Sequence, residues 1–254
     1  MYQKNKDKYI IDLFSGCGGF AEGFEKSGYK SYLAADFNFW SCETFKNRFK
    51  NTHVINEDIT TKKFKKILKS KMNGTPIEGV VAGLPCQSFS SVGRAQDKYS
   101  MRKDKRNYFY KDFFECLKII KPKFYVFENV RGILSAKPNG TRIFDDILNL
   151  SKKLGYVTLD NTSQMVFDTS EYGVPQVRKR VFVIGVLKKY PFIVPKIYDE
   201  LINKSKQKKI FTVKDAIADL PSLKPGEGEE KLKFENSSKN NYLKKIKNSK
   251  VLYN

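Results

Sequence analysis

The run Tyr9-Ile10-Ile11-Asp12-Leu13-Phe14 gives way without a spacer to Ser15-Gly16-Cys17-Gly18-Gly19, and then to a helical pattern from Phe20 to Ser27. Such a β-type run, a glycine turn and a helix start form the arrangement in which backbone N–H groups and a helix N-terminus face a bound cofactor closely, with no Cβ in the way. The spacing is not G-x-G-x-x-G and no Lys-Ser/Thr follows, so neither a dinucleotide fingerprint nor a phosphate-cradling P-loop fits well. A cofactor without a pyrophosphate fits better.

Two further units repeat the theme. A strand from Tyr29 to Ala35 ends at Asp36-Phe37, where a carboxylate can accept hydrogen bonds from ribose hydroxyls or simply start the next helix, Phe39 to Phe49. A short strand, His53 to Ile55, leads to Glu57-Asp58-Ile59 before a basic helix, Thr61 to Lys71. Strands that alternate with helices and deliver acidic groups to one edge predict an α/β protein with a mostly parallel sheet. Its ligands should gather at the carboxyl ends of the strands.

The stretch Val80-Val-Ala-Gly-Leu-Pro-Cys-Gln-Ser-Phe-Ser90 reads as a buried strand that stops at Gly83 and presents Cys86 just beyond its end. Pro85 fixes its own φ and biases Leu84 away from the helical region, so the approach to Cys86 is stiff, which suits an aimed nucleophile. A buried structural thiol is the other reading of this segment. A basic stretch follows, Ser91 to Asn107, long for a connection inside a compact domain; of the two readings, disorder or a lid, the lid is the expectation, with charge suited to a phosphate backbone. The helix Tyr108 to Ile120 has Cys116 at core-facing spacing, so that thiol reads as packing.

Next, Lys123-Phe-Tyr-Val-Phe-Glu-Asn-Val130 reads as a buried strand that brings Glu128 to its end. A carboxyl group in an apolar setting tends to a raised pKa, as a proton donor to a ring nitrogen needs, though a salt-bridged glutamate is also open. A helix from about Ile143 to Leu154 and a strand from Tyr156 to Ser163 lead to Gln176-Val-Arg-Lys-Arg180 and the apolar strand Val181 to Val186. Arg178 and Arg180 alternate with Val177 and Lys179, so strand spacing predicts both guanidinium groups on one face. Beyond Leu187 the pattern loosens around Pro191 and Pro195, a short helix falls near Val213 to Leu220, and the tail is polar and lysine-rich.

Charge narrows the partner. In 254 residues, 48 Lys+Arg against 27 Asp+Glu give a formal +21, which favours a polyanion, although a lysine-rich solvated surface accounts for part of it. Four cysteines without a C-x-x-C pair and a single His53 offer little for a zinc site. With free thiols, no apolar leader and no membrane-length apolar run, the expectation is a cytoplasmic protein without a membrane partner.

Taken in order, Asp12-Leu-Phe-Ser-Gly-Cys-Gly-Gly-Phe20, Gly83-Leu-Pro-Cys-Gln-Ser-Phe-Ser90, Glu128-Asn-Val130 and Gln176-Val-Arg-Lys-Arg180 resemble the motifs of the C5-cytosine DNA methyltransferases. The resemblance spans roughly residues 9 to 187. It implies a Rossmann-like class I S-adenosylmethionine-dependent methyltransferase fold, helices on both faces of the sheet, double-stranded DNA as partner and a place in a bacterial restriction-modification system. By resemblance, Cys86 is the nucleophile toward cytosine C6, Glu128 binds N3 and the exocyclic amine, Arg180 holds the O2 side, and Arg178 steadies the catalytic loop. Phe14 would stack on the cofactor adenine, Asp36 bind ribose and Asp58 the adenine amino group, with Ser15, Gly16, Gly18, Gly19, Phe37, Ile59 and Pro85 lining the same pocket. Gln87, Ser88, Ser90, Asn129 and Gln176 would contact the substrate.

One departure matters. The family's later motifs, an arginine/glutamate-rich one and a Gly-Asn-x-Val, are not found after Val181. The expectation is therefore a catalytic domain over 1–187, with 188–254 a linker and the start of a target-recognition region that a second chain completes. A truncated chain or an inactive relic would account for the same departure. A tRNA cytosine-5 methyltransferase and a non-catalytic nucleic-acid-binding subunit are the rival functions.

Overall fold

The structure, a computed structural model, describes residues 7–85, 89, 104–138, 140–229, 231–233, 242–243 and 251–253. Cys86, Gln87, Ser88, Ser90 and most of the Ser91–Asn107 segment lie outside the described residues. The chain begins with β1 (Tyr9–Leu13), α1 (Gly19–Lys26), β2 (Lys30–Asp36), α2 (Phe39–Arg48), β3 (His53–Asn56), α3 (Lys62–Met72) and β4 (Ile77–Gly83). It continues through α4 (Phe109–Ile120), β5 (Phe124–Asn129), α5 (Ile143–Lys153), β6 (Tyr156–Thr158), β7 (Val166–Asp168), β8 (Lys179–Leu187) and α6 (Ile193–Asp199). Two compact units result, residues 1–166 with 180–200 and residues 167–179 with 201–254.

In the first unit the sheet runs β3-β2-β1-β4-β5-β8-β6, with β1 to β5 parallel and β8 antiparallel to β5 and β6. The fold is Rossmann-like. The chain winds outward from β1 to β3, then returns to β4 on the other side of β1. The carboxyl ends of β1 and β4 therefore flank a topological switch point, where such sheets open a crevice for ligands. Burial matches the parallel arrangement: Ile10, Ile11, Leu13, Leu33, Ala34, Ala35, Val80, Val81 and Ala82 are all fully buried, as continuous apolar runs in covered parallel strands should be.

Aromatic rings from α4 and β5 fill the next layer. Phe113 meets Tyr125 and Phe127 edge-on, both at 5.7 Å between centroids, and Phe114 meets Tyr125 in the same way. The Tyr125 hydroxyl shares a 2.8 Å hydrogen bond with Ser151 Oγ of α5. Both strands beside β5 leave room for its rings: Gly79 pairs with Phe124, and Gly185 with Tyr125. A Cβ at Gly185 would stand 2.1 Å from Tyr125 Cε1, and one at Gly79 2.3 Å from Phe124 Cζ. Tyr125 is fully buried and pinned by Ser151, whereas Phe124 is only half-buried and can yield. Gly185→Ala should therefore cost about 1–3 kcal/mol of overpacking, and Gly79→Ala less. Denaturant midpoints of the two variants check this ordering.

Two stretches differ from expectation. The strand read as Tyr156 to Ser163 stops at Thr158, because the Asn161 side chain accepts from the Ser163 N–H (3.2 Å) and hydroxyl (2.7 Å) and turns the chain into a 3-10 segment. Where prolines signalled loosening, α6 forms instead. Pro195 falls in its first turn, where no intrahelical N–H is needed. Tyr198 anchors the helix, its buried hydroxyl accepting from the Ile184 N–H (3.1 Å) and donating to the Phe182 carbonyl (2.7 Å).

The second unit contains a loop closed on itself and α7 (Val213–Ile217), whose Thr212 and Asp215 form a capping box. It also contains the antiparallel pair β9 (Lys231–Lys233) and β10 (Val251–Tyr253). Among the described residues no helix is long and apolar enough to cross a membrane.

Candidate active site

Strand alternation decides what β5 offers at its end. Phe124, Val126 and Glu128 are half-buried, while Tyr125, Phe127 and Asn129 point into the opposite, fully buried layer. Glu128 Oε1 lies 2.8 Å from Arg180 Nε, an ion pair whose side chains are 19% and 18% exposed. At that burial a charge-assisted bond is only partly screened by solvent. Asn129, expected among the substrate contacts, is fully buried. Its Nδ2 donates to the Leu84 carbonyl (3.3 Å), and its Oδ1 accepts from the Val130 N–H (2.8 Å).

These bonds join two strand ends. Gly83 is the register partner of Glu128, and the Leu84 N–H donates to the Glu128 carbonyl at 3.3 Å. Leu84 and Pro85 are thereby fastened beside Glu128 immediately before Cys86 leaves the described residues. Phe89, three residues past Cys86 in the chain, is buried.

The glycine turn lies at the neighbouring strand end. A Cβ on Gly83 would be 3.9 Å from the Phe14 carbonyl oxygen. Phe14 itself is in the left-handed region at φ +54, where a bulky residue is an outlier of the kind that gathers at functional sites, and its ring stacks on Phe109 at 5.8 Å. Gly18 (φ +93) rests on Phe45 and Phe49, whose ring atoms would stand 2.9 and 2.5 Å from an added Cβ. No side chain fits there.

Asp36 ties this turn to β2. Its Oδ2 accepts from the Gly16 N–H (2.9 Å) and its Oδ1 from the Asn38 N–H (2.8 Å), while the Ser15 N–H donates to the Ala35 carbonyl (3.1 Å). The Asn56 amide donates to the carbonyls of Asp36 and Phe37, which links β3 to the same edge. The Phe37 ring is exposed and Ile59 is buried. Asp58 is exposed, and its Oδ1 accepts from the Thr60 N–H and hydroxyl (2.9 and 2.8 Å).

Whether this edge can hold a cofactor can be tested on the residues present. An added Cβ on Gly16 or Gly19 meets nothing within 4 Å, so open space borders the turn. The buried Ser15 Oγ has no partner among the described residues. Open space and an orphaned hydroxyl fit a polar ligand group, and Asp36, still rich in lone pairs, stands beside them.

Gln176 and Arg178 belong to the second unit. There Thr169 closes a loop, its hydroxyl donating to the Gln176 carbonyl (2.8 Å) and its N–H to the Arg178 carbonyl (3.0 Å), while the Arg178 N–H donates to Asp168 Oδ1 (3.2 Å). Strand β8 starts only at Lys179, so Arg180 lies within it and Arg178 just before it. The expectation that one strand carries both arginines on a single face is corrected accordingly.

The described thiols differ sharply. Burial pushes Cys116 up to about 12, and burial raises Cys42 as well, so neither supplies a thiolate near neutral pH. Cys17 is exposed in the glycine turn. Sequence reasoning gave no role to Asp12, which is fully buried with Oδ2 accepting from the Ala21 N–H at 3.2 Å. The signal was available: an acid among the apolar residues of a core strand.

Comparison with known proteins bears on the chain as a whole. The profile of the C-5 cytosine-specific DNA methylases matches residues 9–252. The Type II methyltransferase M.DdeI of Desulfomicrobium norvegicum is 35% identical over 250 residues, 96% of this chain and 56% of that protein. The chain thus spans little more than half the length of that curated relative. M.AquIA of Picosynechococcus, also a Type II methyltransferase, is 31% identical over 86% of this chain and 91% of its own length. Among solved structures, a DNA modification methyltransferase encoded within an E. coli prophage superposes with a TM-score of 0.72 at 29% identity, covering 94% of this chain and 64% of that one.

Proposed function

The chain belongs to the C-5 cytosine-specific DNA methylase family, and from that premise we propose that it carries the catalytic machinery of a DNA (cytosine-5-)-methyltransferase that takes its methyl group from S-adenosylmethionine. The observation that carries the reading is the Glu128–Arg180 pair, held by strand register beside the Leu84-Pro85 approach to Cys86. The glycine turn, Asp36, Asp58 and Phe37 would hold the methyl donor. When bound, the donor supplies an electrophilic methyl on a sulfonium centre.

Cytosine C5 is a weak nucleophile within an aromatic ring, so the ring has to be activated first. Cys86 as thiolate would add to C6 while Glu128 holds a proton at N3, which gives an enamine whose C5 can accept the methyl. Arg180 would engage the O2 side, which requires its bond to Glu128 to be shared with the incoming base. Loss of the C5 proton to a base, with the N3 proton returning to Glu128, then expels Cys86 as thiolate and restores aromaticity. C6 is out of reach inside a stacked duplex, so the cytosine would be flipped out of the helix. The formal +21 supports a polyanionic partner, and the Type II methyltransferase names of the relatives support a restriction-modification setting in a bacterial cytoplasm.

A second polypeptide that completes target recognition remains part of the proposal. The near full-length match to M.AquIA supports a catalytic chain of this size. The test uses duplex DNA with 5-fluorocytosine, in which C5 has no proton to lose and elimination stops. In the presence of S-adenosylmethionine, a denaturant-stable protein–DNA adduct should form through Cys86, and the equivalent tRNA should form none. Absence of any adduct, both alone and with a candidate second chain, would overturn the assignment.

A further inference from the structure

Helix α1 starts without a cap of its own. Its N-cap is Gly18, which has no side chain, so the first-turn N–H groups need acceptors from elsewhere. One acceptor comes from the strand beneath: Asp12 Oδ2 takes the Ala21 N–H at 3.2 Å. Ile10, Ile11 and Leu13 on either side are fully buried, and so is Asp12, whose Oδ1 is buried with no partner among the described residues. A carboxyl group in such a place is costly, and the sheet itself would be served as well by valine. Burial lifts the Asp12 carboxyl well above the usual carboxylate range, with the nearby Asp36 charge acting in the same direction against the Ala21 hydrogen bond.

We propose that Asp12 is a positioning residue: as a hydrogen-bond acceptor rather than a charge, it fixes the start of α1, and with it the Gly16–Gly19 turn that receives the methyl donor. The inference rests on the reading that this turn binds S-adenosylmethionine. Asp36 and the Ala35 carbonyl fasten the entry of the turn through Gly16 and Ser15, while Asp12 fastens its exit. A turn held at both ends presents its N–H groups in one arrangement, and a ligand then has less ordering to impose on binding.

Calorimetric titration of the full chain with S-adenosylhomocysteine, paired with amide exchange at Ala21, tests the proposal. Asp12→Asn keeps an acceptor of the same shape without the charge, so its affinity should stay within about threefold of wild type with Ala21 still protected. Asp12→Ala leaves the N–H without its acceptor and should bind about tenfold more weakly, with faster exchange at Ala21. Wild-type affinity in Asp12→Ala would reduce the residue to a role in stability alone, and equal losses in both variants would mean that the charge is what matters. Either result overturns the proposal. If Asp12→Ala does not fold, Asp12→Asn decides by itself, since fast exchange at Ala21 or a tenfold loss of affinity overturns it and slow exchange with retained affinity sustains it. Failure of the wild-type chain to bind S-adenosylhomocysteine at all would instead refute the cofactor reading.

Discussion

Cys86→Ser should lower single-turnover methyl transfer to duplex cytosine by on the order of 10³-fold or more, and it should abolish the 5-fluorocytosine adduct. A thiol has a small but useful thiolate fraction at neutral pH, whereas a serine hydroxyl does not ionise there without a strong adjacent base. None of the described thiols offers an easy substitute. Burial raises Cys42 and Cys116, and both are fully enclosed. Cys17 is accessible but sits in the glycine turn. Affinity for S-adenosylhomocysteine and the thermal midpoint of Cys86→Ser should stay near wild type, since the substitution exchanges a single side-chain atom and the bonds given above for the glycine turn and Asp36 run between other residues. A variant that retained a tenth of the transfer rate would remove covalent catalysis from the proposal.

The fold was legible because local chemistry and tertiary placement agree over the first 130 residues. Each parallel strand is an apolar run that ends in a polar or glycine-rich turn, so hydrophobic pattern and chain punctuation coincide, and β1 to β5 fall within a few residues of where the sequence predicts them. Agreement weakens where a distant contact decides the outcome. Helix α6 carries Pro195 and depends on Tyr198 reaching the backbone of β8, a contact that no local pattern announces. Asn161 ended β6 early through a side-chain turn that competes with the ladder. At the site, the meeting of Glu128 and Arg180 was foreseeable only through resemblance, since 52 positions separate them and antiparallel register alone brings them together. Asp12 shows the opposite case, in which residue and position were plain but its partner, a helix N–H, was not.

Glu128→Gln carries the second large effect, a fall of about 10²–10⁴-fold in the rate of methyl transfer. The amide keeps the size of the side chain and still offers Arg180 a carbonyl acceptor, so the local packing survives and stability should change by less than about 1 kcal/mol. What the amide cannot do is carry a proton to N3, and without that proton the addition of sulfur at C6 leaves negative charge stranded on the ring. Glu128→Ala tests the other half of the pair. It removes one acceptor from a guanidinium that is only 18% exposed, so it should cost stability as well as rate, by roughly 1–3 kcal/mol after allowance for solvent at this partly open position. The comparison separates chemistry from architecture. If Glu128→Gln transferred methyl groups at the wild-type rate while Glu128→Ala was destabilised, the carboxyl group would be a partner for Arg180 and nothing more, and the proton at N3 would have to come from another residue of the site.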